Sequence, residues 1–93
     1  MEVSIENIGS SLIAYPNPAS KPVTFEFRIN ESTKATLDLF SASGQLIATI
    51  FNRFIEAGDV QKANFSKSLA PGTYVYTLRW SDQKITGNLI ITH

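Results

Sequence analysis

Apolar and polar residues alternate along most of this chain with a period of two. Val23, Phe25, Phe27 and Ile29 alternate with Thr24, Glu26 and Arg28, which predicts a strand with one buried and one wet face. Ala35, Leu37 and Leu39 alternate with Thr36 and Asp38 in the same way. The run Leu46 to Phe51 is apolar on both parities and rich in β-branched side chains, which predicts a strand nearer the middle of a sheet. Val60, Ala63 and Phe65 mark a weaker strand. Tyr74, Tyr76, Leu78 and Trp80 share one parity against Val75, Thr77 and Arg79, and Ile85, Leu89 and Ile91 share theirs with Gly87. With Ser11 to Tyr15 as a first strand, about seven strands follow at the ~8–12-residue spacing of sandwiches and barrels.

The punctuation between the runs is equally regular. Pro16-Asn17-Pro18-Ala19-Ser20 cannot be regular structure, because each proline fixes φ and removes a donor. Asn30-Glu31-Ser32 breaks the next pair. Ser43-Gly44-Gln45 reads as a tight hairpin with Gly44 at positive φ. Glu56 to Asp59, with Gly58, and Ala70-Pro71-Gly72 read as two more hairpins, and Ser81 to Lys84 as a polar hairpin loop. Helical spacing fits only one short turn at Ser66 to Leu69. The fold expected is all-β, an antiparallel sandwich of about seven strands in one domain, with residues 1–11 as a lead-in and 12–93 as the domain.

Composition narrows the function. Eight basic and eight acidic side chains cancel, leaving no long-range field for nucleic acid or an anionic membrane. No apolar run approaches the ~18–20 residues of a membrane span, so no direct membrane insertion is expected. Cysteine is absent, which excludes disulfides and thiolate metal sites. Met1 to Ser10 has neither a basic cluster nor an apolar stretch and does not read as a signal peptide. The chain is then either a protein retained in the cell or a piece of a longer exported one.

A search for catalytic chemistry returns little. The single histidine, His93, is the last residue, where a ligand or base is poorly held. The carboxylates are scattered, with no calcium-loop spacing. Glu26 and Asp38 fall on the outward parity of their strands, where a solvated face is expected in preference to an acid pair across a sheet. No nucleophile elbow, phosphate loop or zinc motif occurs. No catalytic residue, cofactor or metal is assigned, and no enzyme activity is expected. Tyr74, Tyr76 and Trp80 suggest either a sugar-binding platform or core; their parity with Leu78 favours core. The faces of Phe40, Phe51 and Phe54 stay open.

The order of the turn signals carries more information than any one of them. Tyr15-Pro16-Asn17-Pro18 precedes the strand at Val23. Leu37-Asp38-Leu39-Phe40 leads through Gly44 to Leu46-Ile47. Then come Gly58, Leu69-Ala70-Pro71-Gly72-Thr73-Tyr74 and a closing apolar strand from Lys84 through Leu89 and Ile91. In this combination, over residues 12–93, the chain resembles the type A C-terminal sorting domains of the type IX (Por) secretion system of Bacteroidetes.

The resemblance implies an immunoglobulin-like β-sandwich at the end of a larger secreted cargo. It implies a route through the periplasm and outer membrane to the cell surface, with translocon components and a cell-surface sortase as partners and cleavage by the sortase at the end. It maps the family's motif positions onto Tyr15, Pro16, Asn17, Pro18, Gly44, Gly58, Leu69, Gly72, Tyr74, Lys84, Leu89 and Ile91. Two departures stand out. Ser41 occupies the hairpin start where the family often has Asp, and Lys84 is the last firm positive charge where many members carry a basic terminal strand. Read physically, the terminal strand has no later segment to cover it, so its backbone edge is expected to be open to strand addition by a partner or to an edge-strand dimer. A carbohydrate-binding accessory sandwich and a plain fibronectin-like spacer are the competing readings.

Overall fold

A computed structural model describes residues 9–20 and 22–92, so His93 and most of the lead-in lie outside the described residues. These form seven strands: β1 (Ser11–Tyr15), β2 (Val23–Arg28), β3 (Thr33–Ser41), β4 (Leu46–Ile55), β5 (Val60–Phe65), β6 (Gly72–Trp80) and β7 (Gln83–Ile91). They make a three-stranded sheet ordered β1-β2-β5 and a four-stranded sheet ordered β4-β3-β6-β7, and every strand pair within them is antiparallel. The two sheets pack as an immunoglobulin-like sandwich, as expected.

The alternation in the sequence becomes the core. Val23, Phe25, Phe27 and Ile29 face inward from β2 and its end, Ala35, Leu37 and Leu39 from β3, and Tyr74, Tyr76, Leu78 and Trp80 from β6. Phe25 meets Tyr76 edge-on at 5.2 Å and 71°, and Phe27 meets Phe51 at 4.9 Å and 85°. Both are edge-to-face geometries, the favoured arrangement for aromatic pairs. Each joins the small sheet to the large one. Tyr74, Tyr76 and Trp80 are thus core residues, and no aromatic platform forms from them. Burial pushes the Tyr76 phenol pKa upward, because the anion would lose its hydration.

Gly87 lies opposite Tyr76 on β7. A Cβ there would collide with the Cζ and Oη atoms of the Tyr76 ring. The absence of a side chain is what lets this ring lie against the terminal strand and still reach Phe25.

Several sequence expectations change. The run Leu46 to Phe51 belongs to β4, an edge strand and not a central one. The β3–β4 register slips between Leu37 and Asp38 and again between Leu39 and Phe40, passing over Ile50 and Ile47 on β4. Each bulge resets which parity faces inward. Both parities are therefore apolar because Ala48, Ile50 and Phe51 all lean on the core from either side of a bulge. Phe54 lies outward, 60% exposed, and Phe40 is half-buried. Secondly, the connections at Glu56 to Asp59 and Ala70 to Gly72 are not hairpins. They carry the chain from β4 to β5 and from β5 to β6, each time between sheets. Ser66 to Leu69 forms no helical turn.

A further change concerns Asp38. Its parity is outward as expected, yet it is only 5% exposed. Glu26 lies in the other sheet, so the two carboxylates do not face each other. Asp38 sits on a central strand, and its neighbours close over it from both sides. Thr49 Oγ1 on β4 donates to Asp38 Oδ1 at 2.7 Å, and Arg79 Nη2 on β6 donates to Asp38 Oδ2 at 2.9 Å. The carboxylate side chain is 8% exposed while that of Arg79 is 55% exposed.

Two outcomes follow for stability. Replacing Gly87 by Val drives the Tyr76 ring off Phe25 and lowers stability by roughly 1–3 kcal/mol, read from the shift in thermal midpoint. Arg79→Met leaves a nearly buried carboxylate without its cation and destabilises by about 1–3 kcal/mol. Asp38→Asn keeps the Thr49 bond and leaves an arginine that water can reach, so it costs less. Urea midpoints in the reverse order would refute this account.

Candidate functional site

After Tyr15 the chain cannot continue pairing in the small sheet, since Pro16 and Pro18 have no N–H to offer. Both X-Pro bonds here, Tyr15-Pro16 and Asn17-Pro18, are cis. The segment crosses instead to the edge of β7. Asn17, between the two prolines, uses its side chain where a strand would use its backbone. Its Nδ2 donates to the Asn88 carbonyl at 2.9 Å, and its Oδ1 accepts the Ile90 N–H at 3.0 Å. Ala19 then pairs through its own backbone. Its N–H donates to the Ile90 carbonyl at 2.8 Å, and its carbonyl accepts the Thr92 N–H at 2.7 Å. The result is a parallel bridge between Ala19 and Ile91, with Ala19 fully buried.

On the other side of β7 stands the Leu69–Tyr74 corner. The Tyr74 hydroxyl donates to the Ala70 carbonyl at 2.7 Å, a tyrosine corner of the kind found where a sandwich strand enters from the opposite sheet. Gly72 and Tyr74 are the cross-strand partners of Ile91 and Leu89, and Leu69 packs on the core from the loop. Asn17, Gly72, Tyr74, Leu89 and Ile91 therefore meet around residues 88–92. Beside them a cleft of about 230 Å³, lined by Val23, Phe65, Leu69 and Ile91 among others, falls short of the ~300–1,000 Å³ of small-molecule sites.

The remaining motif positions divide. Gly44, at φ 94°, turns the β3–β4 hairpin, at the same end of the large sheet because Ser41 pairs with Tyr74. Ser41, at the start of this hairpin, caps it with its hydroxyl: its Oγ accepts the Gln45 N–H at 3.1 Å. Gly58 lies at the opposite end, where its N–H donates to the Ile29 carbonyl at 2.9 Å. Lys84 is exposed at the far end of β7, opposite Arg79. Pro16 and Pro18 are exposed. Tyr15 is exposed and donates to Glu26 Oε1 at 3.0 Å, and that bond raises its pKa by holding the phenol protonated.

The expectation of an uncovered terminal strand is corrected. β7 is an edge strand, but Asn17 and Ala19 occupy its outer side along residues 88–92. Sequence reasoning read the prolines as turn residues and missed this contact. The available signal was an asparagine flanked by two residues that cannot donate.

A family model for secretion-system C-terminal sorting domains matches residues 13–92. Among solved structures the chain is similar to dimeric latent PorU from Porphyromonas gingivalis, with a TM-score of 0.69 and 14% identity, over 88% of this chain and 9% of that one. At that identity the likeness is one of fold. No curated protein matches the sequence.

The corner is testable by itself. Tyr74→Phe removes the bond to Ala70 with little change in shape, and a loss of about 1 kcal/mol is expected in chemical denaturation, with the fold retained.

Proposed function

This chain belongs to the family of secretion-system C-terminal sorting domains, the sorting signal of type IX secretion, and on that premise we propose how it does its work. Residues 12–93 act as the targeting unit of a larger cargo joined covalently upstream. The unit directs that cargo through the periplasm and across the outer membrane by engaging the translocon. A cell-surface sortase then removes the unit. The family directs secretion to the cell surface or beyond and is not itself catalytic. Our reading for this chain is likewise recognition without chemistry.

One observation carries the proposal beyond family membership. Three separated motif segments, at Tyr15–Ala19, Leu69–Tyr74 and Leu89–Ile91, converge on one end of β7. Residues far apart in the chain are spent on building and holding this end of the last strand. Recognition through the strand end needs no long-range field, in keeping with a net charge of zero. Lys84 is the cation that the strand itself contributes. The sugar-binding alternative required an exposed aromatic patch, and its three aromatics are buried.

Fusion of residues 12–93 to a passive reporter should export the reporter in a Bacteroidetes strain with a working translocon. Deleting residues 84–93 should abolish export while the reporter stays folded. Retention of the intact fusion in the periplasm, beside an exported control domain, would defeat the proposal. Export undiminished by the deletion would favour a passive spacer.

A further inference from the structure

The geometry points to the outer edge of β7 as a parallel strand-addition site for an extended partner peptide, a site that the Asn17–Ala19 segment fills in the free domain. This rests on the reading above only for who the partner is. The groups facing outward on β7 are those of alternate residues. Four are taken: the Asn88 carbonyl, the Ile90 N–H and carbonyl, and the Thr92 N–H. The N–H and carbonyl of Lys84 and Thr86 and the N–H of Asn88 point the same way, because β7 keeps an unbroken register with β6 from Gln83 to Ile91. None of these has a bond to the strap, for the chain upstream of Asn17 turns into the other sheet, where Tyr15 pairs with Thr24.

The strap is therefore a short occupant of a longer site. It shows what the site accepts: an extended segment running parallel to β7, with a carboxamide side chain level with residues 88–90 and a small residue level with Ile91. It is also built to be a poor template itself, because Pro16 and Pro18 present no N–H to a further strand. A partner strand carrying the same features can satisfy the four groups that the strap satisfies and then continue along Thr86 and Lys84. It displaces the strap by making more bonds in the same place. The latch on which this exchange depends is the Asn17 side chain, since it supplies two of the strap's bonds without any backbone pairing.

Amide hydrogen exchange and chemical-shift titration on the full 93-residue chain test this. In Asn17→Ala the Ile90 amide should exchange about tenfold faster than in the parent, while the Thr86 amide and the core amides of Leu37 and Leu78 keep their rates. A synthetic peptide of residues 14–20 should then shift the resonances of Ile90 and Thr92 in Asn17→Ala, and the same peptide with its Asn replaced by Ala should not. Unchanged Ile90 exchange, or no peptide-induced shift at residues 88–92, overturns the inference. If Asn17→Ala fails to fold, Asn17→Asp carries the test. It keeps the acceptor for Ile90 and loses the donor to Asn88, and the peptide shifts alone decide. Both readouts are made without a secretion system, so their failure leaves the export reading standing, and failure of export leaves these results standing.

Discussion

The inward faces of β2 and β6 meet at Phe25 and Tyr76, and the rest of the fold is arranged around that contact. A domain of this size has a thin core, so the two sheets are joined by few large side chains. The position of Tyr76 is set from behind by Gly87 on β7. The terminal strand is thereby part of the core's geometry and not an addition to it. Tyr74 and Leu89, the next inward pair along the same two strands, extend the contact toward the end where the motif segments gather.

Around this apolar join, polar groups do the work of closure. The Asn17 carboxamide and the Ala19 backbone tie the first crossing segment to the last strand, over 71 to 73 residues of sequence. Ser32 bridges the other end, accepting the Ala57 N–H and donating to Glu56. Asp38, Thr49 and Arg79 lace three neighbouring strands across the outer face of the large sheet. These bonds add modest stability each. Their larger effect is to choose one register and one crossing path among those that the apolar pattern permits.

This arrangement suits a domain whose task is to be recognised. Its edges are guarded by different means. β4 is bent by two bulges, and the end of β7 is covered by a segment that its prolines make unable to pair further. What is left unpaired along Lys84 to Thr86 is short. A partner that reads backbone groups must therefore match one stretch of one strand, which gives specificity without a charged patch or a deep pocket.

Much of this was legible in the residues. Period-two alternation located most of the strands, an apolar β-branched run marked β4, and parity placed nearly every core side chain, because parity alone decides which face of a strand is buried. Gly44 and the Ser81-containing loop were readable as hairpins from turn chemistry. Turn chemistry reports only that the chain reverses, however, and not which sheet it enters. That is why Gly58 and Gly72 were misread as hairpin residues when they serve connections between sheets. Whether Leu46 to Phe51 is central or marginal, and whether Asp38 is wet or covered, depends on which strands lie alongside, a property of sheet order. The contact of Asn17 with Asn88 and Ile90 lies further still from sequence reasoning. By itself the sequence determined the strands, their buried faces and the family to which their punctuation points. Only the tertiary structure decided that the first motif closes over the last, because a hydrogen bond between residues so far apart is set by the packing of two sheets and by no local preference.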